Sequence, residues 1–319
     1  MRHRILSRPR RATLALAAGA MLAAAQVDAQ PRATSLASAI ARRQADAVRS
    51  FVERGADVNT VARGGWTALH LASDVGDEDL AEFLLERGAD VDAADSVGFV
   101  PLHFAADEGS TDVIGLLLRF AANPNQRDNQ GWTPLHRAIR AGHTEPARAL
   151  LEHGADRDVL DQLFNGDAPL HWAVEDRDPE MASLLLEYGA NINIRNGRFR
   201  STPLHDATSR DDATLVALLL DRGADVDPEN LLDDTPLHVA ARLGSENVAR
   251  LLLDAGANIL GENQEGRTPL HMAAYHGQTA MVRYLLDAGA AADAYDTRGQ
   301  TPADLATARG HAETAAALR

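Results

Sequence analysis

Two residue types are missing from the sequence. It has no cysteine, and all 31 of its basic residues are arginine, so lysine is absent as well. Without cysteine the chain forms no disulfide and offers no thiolate nucleophile, zinc-binding thiolate or site of cysteine lipidation. Without lysine it has neither the lysine of a phosphate-binding P-loop nor one that forms a Schiff base. Several classes of enzyme and metal site are thereby excluded.

Aromatic residues are also few. They make up 4% of the 319 residues, whereas 45% of residues are hydrophobic, so the core must be built mainly from leucine, alanine and valine. The formal net charge is −15. A chain this acidic does not attract nucleic acid or an anionic membrane surface through its overall field. We therefore expect no nucleic-acid partner.

The first 29 residues have the composition of a secretory signal. A head with five arginines and no acidic residue precedes an apolar stretch over 12–25, which is too short to cross a bilayer as a mature helix. Small residues follow, and we expect cleavage before Gln30 or, alternatively, before Gln26. A basic tail or an uncleaved anchor is the competing interpretation. Cleavage predicts export to the periplasm or out of the cell, without membrane insertion of the mature chain.

A motif close to Thr-Pro-Leu-His recurs through the rest of the chain. Successive histidines of the motif are 33 to 35 residues apart: His70, His103, His136, His171, His205, His238 and His271. A Gly-Ala-Asp or Gly-Ala-Asn marker recurs in phase with them, beginning at Gly55, Gly88, Gly154, Gly189, Gly223 and Gly256. A glycine five residues before most of the histidines is a third marker, as at Gly65 and Gly98.

Over residues 34–319 this pattern resembles the ankyrin repeat. The resemblance implies an all-α solenoid of stacked helix-turn-helix units with β-hairpin finger loops. It places a capping partial repeat at 30–64, seven repeats at 65–299 and a second capping partial repeat at 300–319. It also implies that the motif histidines hydrogen-bond to backbone between repeats, and that the chain binds a protein partner without a cofactor and is not an enzyme.

The residues of one repeat support this interpretation independently. The Thr235 hydroxyl can cap a helix that begins at Pro236, where the missing N–H costs nothing. Gly256 is suited to end the second helix, because it tolerates a left-handed conformation. Four residues depart from the pattern by standing where other repeats have glycine, and there we expect strained turns: Ala121, Arg177, Arg200 and Asp233. The connection that contains Leu160–Asn165 is two residues longer than the standard one.

Three aromatic residues occupy the same finger position in successive repeats and form the first candidate binding surface. They are Trp66, Phe99 and Trp132. Tryptophan is costly to expose and is enriched at interface hot spots, so a stripe of these rings is suited to anchor an extended peptide or a partner helix. The alternative is that each ring packs against its own finger and its neighbour.

A basic group in this acidic protein is the second candidate surface. It consists of Arg195, Arg198, Phe199, Arg200 and, in the following helix, Arg210. Arginine and aromatic residues are favoured at interfaces. The alternative interpretation is a solvated loop.

The pair of residues that follows the first-helix alanines varies between repeats. It is more acidic towards the N-terminal half, as at Asp107-Glu108, and more basic or aromatic towards the C-terminal half, as at Arg242-Leu243 and Tyr275-His276. This polarity either fixes the direction of a bound chain or is accidental.

Catalytic and metal-binding interpretations of the histidines are disfavoured by their spacing. Metal ligands converge on one point, whereas one histidine per repeat forms a ladder, so we expect no metal. No nucleophile elbow, zinc-protease motif or phosphate loop is present. An enzyme in the irregular middle repeats is an alternative. It predicts titratable groups with shifted pKa values around Asp167, His171 and Glu175. A self-associating array is a further alternative to the expected monomer.

Overall fold

The computed structural model describes residues 33–162 and 165–319, which form 18 α-helices and contain no β-strand. The helices follow one another in nine pairs: α1 (Leu36–Ala41) and α2 (Ala45–Glu53), α3 (Ala68–Val75) and α4 (Glu78–Leu85), α5 (Pro101–Glu108) and α6 (Thr111–Arg119), α7 (Pro134–Ala141) and α8 (Thr144–Glu152), α9 (Pro169–Glu175) and α10 (Pro179–Glu187), α11 (Pro203–Ser209) and α12 (Ala213–Asp221), α13 (Pro236–Leu243) and α14 (Glu246–Asp254), α15 (Pro269–Tyr275) and α16 (Thr279–Asp287), α17 (Pro302–Ala308) and α18 (Ala312–Ala317). The predicted signal over 1–29 lies outside the described residues.

The helix ends lie where the local sequence predicts them. Helix α13 begins at Pro236, with Thr235 as its N-cap in extended backbone (φ −86°, ψ 168°). Proline loses no hydrogen bond at this first helical position. Helix α14 ends at Asp254, and Gly256 follows in the left-handed region with φ 92°. The glycine therefore closes the turn that ends the pair.

The nine pairs form two layers around one aliphatic core. The first helices pack more closely with one another than the second helices do. Alanines in the first helices are fully buried, among them Ala72, Ala105, Ala138 and Ala240, and their small side chains allow this close approach. Because the first helices are the more tightly spaced layer, the stack curves with them on its concave face.

The motif histidines connect each pair to the next. In α13 the Thr235 amide donates to Nδ1 of His238 at 3.2 Å, and the Thr235 hydroxyl lies 2.9 Å from the same nitrogen. Since the amide can only donate, Nδ1 is the acceptor and the proton is on Nε2. Nε2 then donates to the carbonyl oxygen of Arg267 in the next repeat, at 2.9 Å. The predicted backbone bond between repeats is confirmed.

Five other motif histidines make the same inter-repeat bond, at 2.9 to 3.2 Å: His70, His103, His171, His205 and His271. His136 is the exception, because its buried Nε2 does not make this bond, and the backbone group near the ring is that of Val159. It is also the histidine that faces the lengthened connection, so the insertion coincides with the lost bond. Burial lowers the pKa of all seven imidazoles, and that of His103 falls to about 4.

The histidine arrangement makes Thr235 a testable residue. The predicted cap bond from the Thr235 hydroxyl to the helix backbone is not observed, because the hydroxyl bonds His238 Nδ1 instead. We expect Thr235→Ala to lower the free energy of unfolding by about 1 kcal/mol, because this bond to His238 is lost. Thr235→Ser retains the hydroxyl and should remain close to wild type. Urea denaturation of the three proteins measures the difference. Equal stability of the alanine variant and wild type would show that the hydroxyl contributes nothing.

The fingers between pairs are tight turns, and this differs from the expected β-hairpins. The Asp95 amide donates to the Phe99 carbonyl at 2.8 Å, while Asp95 Oδ1 accepts the amides of Val97 and Phe99. The Gly98 amide also donates to the Asp95 carbonyl, at 3.0 Å. Two backbone bonds and one side chain thus close the turn, which leaves no ladder long enough to be a strand. Neighbouring fingers are bonded to each other, for example from the Asn129 amide to the Val97 carbonyl at 3.1 Å.

The four residues that replace glycine adopt the left-handed conformation expected of them. The φ angles are 65° at Ala121, 56° at Arg177, 54° at Arg200 and 56° at Asp233. Side chains other than glycine are disfavoured there, so these turns are strained. Three of the four lie between residues 177 and 233, in the irregular middle of the array.

Candidate protein-binding surface

The finger aromatics do not form an exposed stripe. Trp132 is only 1% exposed, so its ring is part of the core. Trp66 and Phe99 are half-buried and both pack edge-on against Phe104, with ring centroids 4.9 and 5.5 Å apart. The prediction that Trp132 is an exposed binding anchor is therefore wrong. Its ring packs against its neighbours, as the alternative interpretation expected. A role of Trp66 and Phe99 in partner binding stays a prediction.

The burial of Trp132 depends on a residue of the next repeat that was not predicted from the sequence. Trp172 is fully buried, and its ring meets that of Trp132 edge to face at 4.7 Å. Its Nε1 donates to Asp161 Oδ2 at 3.0 Å, which fixes the ring in place. Phe104 and Trp172 each follow a motif histidine directly. That shared position is the signal that identifies which residue covers a finger ring.

A buried arginine separates the first two fingers of the aromatic group from the third. Arg137 also follows a motif histidine, and its guanidinium carbon lies 4.1 Å from the Phe99 ring centroid and 4.5 Å from that of Trp132. It donates to Asp128 Oδ2 at 2.8 Å, and the Asp128 side chain is fully buried. This part of the finger region is therefore a packed polar and aromatic cluster rather than an open groove.

The second candidate surface is exposed. Phe199 is 45% exposed, and the guanidinium carbon of Arg198 lies 5.1 Å from its ring centroid. Arg195 and Arg200 are exposed in the same finger. Arg210 does not join them, because it lies at the far end of α11. The structure therefore brings together four of the five predicted residues.

Arg210 belongs to the concave face instead. It lies 3.5 Å from Glu175, and its carbonyl accepts a hydrogen bond from Arg177 at 2.6 Å. These contacts connect α9 and α11 across neighbouring repeats, so Arg210 links the inner layer of helices.

Two leucines that were not predicted from the sequence extend the exposed finger surface. Leu231 is 49% and Leu232 is 59% exposed. The Leu231 amide donates to the Phe199 carbonyl at 2.7 Å, which holds the two fingers side by side. We call Phe199, Leu231 and Leu232 the finger patch. Two consecutive leucines, at the place where other turns carry Asn129-Gln130, Gln264-Glu265 or Thr297-Arg298, are the sequence signal for it.

A group of carboxylates occupies the concave face of the middle repeats. Burial raises the pKa of Asp206 well above its usual value, and the charges of Asp167 and Glu175 raise it further, while Arg210 opposes them. Asp167 Oδ1 accepts a bond from Asn196 at 3.0 Å. Perturbed groups thus do occur near two of the three residues named for the enzyme alternative.

The third residue of that alternative has a structural role. His171 Nδ1 accepts the Ala168 amide at 3.2 Å, and Nε2 hydrogen-bonds to the Ser201 carbonyl at 3.0 Å. Both ring nitrogens are therefore engaged within the fold. Burial lowers the pKa of His171 to about 4, as it does for its counterparts in the ladder. In residues 33–162 and 165–319, no group of three His, Asp or Glu side chains is placed to hold a metal ion.

Comparison with known protein families covers most of the chain. The family model described as ankyrin repeats (3 copies) matches residues 14–95, 102–196 and 193–263, and that described as ankyrin repeats (many copies) matches 252–306. The chain belongs to the ankyrin-repeat family. The first match begins at residue 14, so it overlaps the stretch for which a signal is predicted.

A solved ankyrin-repeat structure is similar to this ankyrin-repeat chain along most of its length. It is the crystal structure of the ankyrin repeat domain of Bcl-3, described as a unique member of the IkappaB protein family. The two are 32% identical, with a TM-score of 0.62, and the match covers 70% of this chain and 100% of the other. No curated protein matches the chain. No helix among the described residues is long and apolar enough to cross a membrane.

Proposed function

We propose that this ankyrin-repeat chain is an exported scaffold that binds a protein partner through the finger patch, in the periplasm or outside the cell. The observation that carries the proposal is the exposure of Phe199, Leu231 and Leu232 on two bonded neighbouring fingers. Contiguous exposed apolar residues rimmed by polar ones are typical of protein-interaction sites. Export rests on the composition of residues 1–29 alone.

The charges around the patch describe the partner further. Arg195, Arg198 and Arg200 are exposed beside Phe199, in a protein whose net charge is −15. An apolar anchor surrounded by guanidinium groups favours a partner that presents an aliphatic or aromatic side chain with carboxylates near it. The bonded fingers are preorganised, so little ordering is needed on binding.

Catalysis is supported less well than binding. The enzyme alternative rests on the carboxylates around Asp206, since His171 has both nitrogens engaged in the fold. Arg210 partly neutralises that group through Glu175, at 3.5 Å. A raised carboxyl pKa alone supplies neither a nucleophile nor a positioned base.

The finger patch is tested by a double substitution. We expect Leu231→Ser with Leu232→Ser to weaken partner binding by about 2 kcal/mol, or roughly thirtyfold, because two interface anchors are lost. Folding should be unaffected, since exposed substitutions change stability by at most about 0.5 kcal/mol. Val61→Ser is the matched control, because Val61 is also apolar and exposed but lies near the first finger.

The measurement is cross-linked capture from separate exported and cytoplasmic fractions of the native cell. The proposal requires one protein from the exported fraction that wild type and Val61→Ser enrich and the double variant does not. Equal enrichment by all three proteins would place the binding site elsewhere, and enrichment only from the cytoplasm would contradict export. Light scattering on the purified protein distinguishes self-association, because a patch covered by a second copy gives a dimer that the double variant abolishes.

A further inference from the structure

The concave ends of three consecutive first helices carry a basic group in the C-terminal repeats. Arg242 lies in the last turn of α13, Tyr275 and His276 end α15, and Arg309 caps α17. The Arg309 guanidinium carbon lies 3.8 Å from the Tyr275 ring centroid, and the rings of Tyr275 and His276 are 5.1 Å apart. We call Arg242, Tyr275, His276 and Arg309 the basic pole.

The charge of this pole is not neutralised within the described part of the chain. Arg267 also lies beside Tyr275, at 4.9 Å, but it is ion-paired with Glu265 and Asp296. Arg242 and Arg309, in contrast, have no ion pair with any described residue. The Nε atom of Arg242 is buried and has no hydrogen-bond partner among those residues. Neither guanidinium group is therefore neutralised by a described carboxylate.

The pKa of the His276 imidazole is lowered, in part by the positive charges around it. Burial lowers its pKa first, and the charges of Arg242, His311 and Arg267 lower it further. Arg242 comes from α13, Arg267 from the finger before α15 and His311 from the connection between α17 and α18, while Asp234 opposes them. The positive field therefore extends over neighbouring repeats. A carboxylate has bidentate partners in the arginines and a hydroxyl donor in Tyr275.

The N-terminal end of the same face has the opposite sign. Burial raises the pKa of Asp74, and Asp107 raises it further, while Arg43 opposes them through an ion pair. The pKa of Glu108 is raised by burial and then by the charge of Asp74. These carboxylates repel one another across α3 and α5. We call Asp74, Asp107 and Glu108 the acidic pole.

The two poles are separated by a distance that a short peptide can span. Four steps along the first-helix layer lead from α5 to α13, which is about 40 Å at the usual helix packing distance. An extended chain of about twelve residues has this length. Between the poles, Glu175 and Arg210 neutralise each other. The concave face therefore carries carboxylates at its N-terminal end and arginines at its C-terminal end.

We propose that the concave face binds an acidic segment of the partner polypeptide at the basic pole, and that the acidic pole excludes the reversed orientation. This inference rests on the proposed function, because it takes the partner to be a protein. It adds two properties of the recognised segment. The segment is an extended chain with carboxylate side chains, and its acidic end lies at the C-terminal repeats.

Calorimetric titration with synthetic peptides tests the inference without the native partner. The probe is a twelve-residue peptide with glutamates in one half and arginines in the other, and its reference replaces each glutamate by glutamine. We expect wild type to bind the probe and Arg242→Gln with Arg309→Gln to bind it about tenfold more weakly. The matched control is Arg250→Gln with Arg283→Gln, which removes the same two charges from the second helices of the same region.

Each outcome of the titration either supports or overturns the proposed binding site. Unchanged binding by the control variant and loss by the Arg242 and Arg309 variant support a local site, whereas equal loss in both shows only a net-charge effect and overturns it. A photo-crosslinker at the acidic end of the probe should react with α13 to α17, and reaction at α3 or α5 contradicts the direction. Absence of probe binding overturns the inference while leaving the finger patch to its own test, because capture of the partner is measured separately.

Discussion

Acidification from pH 7 to pH 5 should destabilise this protein by several kcal/mol. Burial lowers the pKa to about 4 at four histidines, namely His103, His136, His171 and His205. An unfolded histidine has a pKa near 6.5, so the unfolded chain takes up protons first as the pH falls. The stability from each neutral imidazole is therefore complete above pH 6.5 and is lost as the pH falls towards 4.

The expected size is large because the histidines form a repeated set. Each contributes a loss of about 1.8 kcal/mol between pH 7 and pH 5, so four give about 7 kcal/mol, comparable with the whole stability of a small domain. Asp206 opposes the trend, since its raised pKa favours the folded state at lower pH. Asp206 therefore reduces the sum, whereas three further motif histidines with a lowered pKa add to it: His70, His238 and His271.

Urea denaturation at pH 7, 6 and 5 measures the effect. His103→Gln removes one titrating group of the ladder and should lower the slope of unfolding free energy against pH. His153→Gln is the control, because His153 is exposed and hydrogen-bonds only within its own helix, to the Ala149 carbonyl at 2.8 Å. A slope that His103→Gln leaves unchanged would show that the buried histidines do not govern acid sensitivity.

The helices could be predicted from the sequence because their ends are set by local chemistry. Proline at the first position, an N-cap in extended backbone and a left-handed closing residue act within a few residues of chain, as at Thr235, Pro236 and Gly256. Residues that replace a glycine of the repeat pattern keep its conformation, since Ala121 has the left-handed φ angle of the glycine that it replaces. Repetition at a fixed spacing then determined the solenoid.

The binding surface could not be predicted as well, because exposure depends on the neighbouring repeat. Trp132 has the same local setting as Trp66, yet it is buried because Trp172, forty residues later, packs against it. Leu231 and Leu232 are exposed because a finger turn separates them from the helix faces that bury other leucines. Sequence periodicity identifies the position of a residue within its repeat. Whether a finger ring is buried depends also on the size of the side chain that the next repeat packs against it.

The expected hairpins differ from the observed turns for a related reason. A side chain, that of Asp95 in the second finger, accepts the amides that a strand partner would otherwise bind. Asp, or Asn in its place, recurs at this position in the described fingers, as at Asp128, Asn230, Asn263 and Asp296. Recurrence in phase with the histidines is a sequence signal for these turns.

Removing the charge of Asp128 should destabilise the array by about 3 kcal/mol. Arg137 is held by Asp128 Oδ2 at 2.8 Å and is 8% exposed, so Asp128→Asn leaves a buried guanidinium without its carboxylate. Asparagine retains a side-chain oxygen for the amides of Gln130 and Trp132, which Asp128 Oδ1 accepts at 2.7 and 2.9 Å. The finger turn is therefore preserved, and the substitution isolates the ion pair.

A second substitution should recover most of this loss. Leucine and valine occupy the position of Arg137 in other repeats, at Leu71 and Val239, so an apolar side chain fits that place in the stack. Replacing both members of a buried ion pair by neutral groups is often neutral or stabilising. We expect Asp128→Asn with Arg137→Leu to unfold within about 1 kcal/mol of wild type, as measured by urea denaturation of both single variants and the double. If Asp128→Asn alone is as stable as wild type, the pair contributes no stability and the aromatic contacts of Arg137 with Phe99 and Trp132 hold the cluster instead.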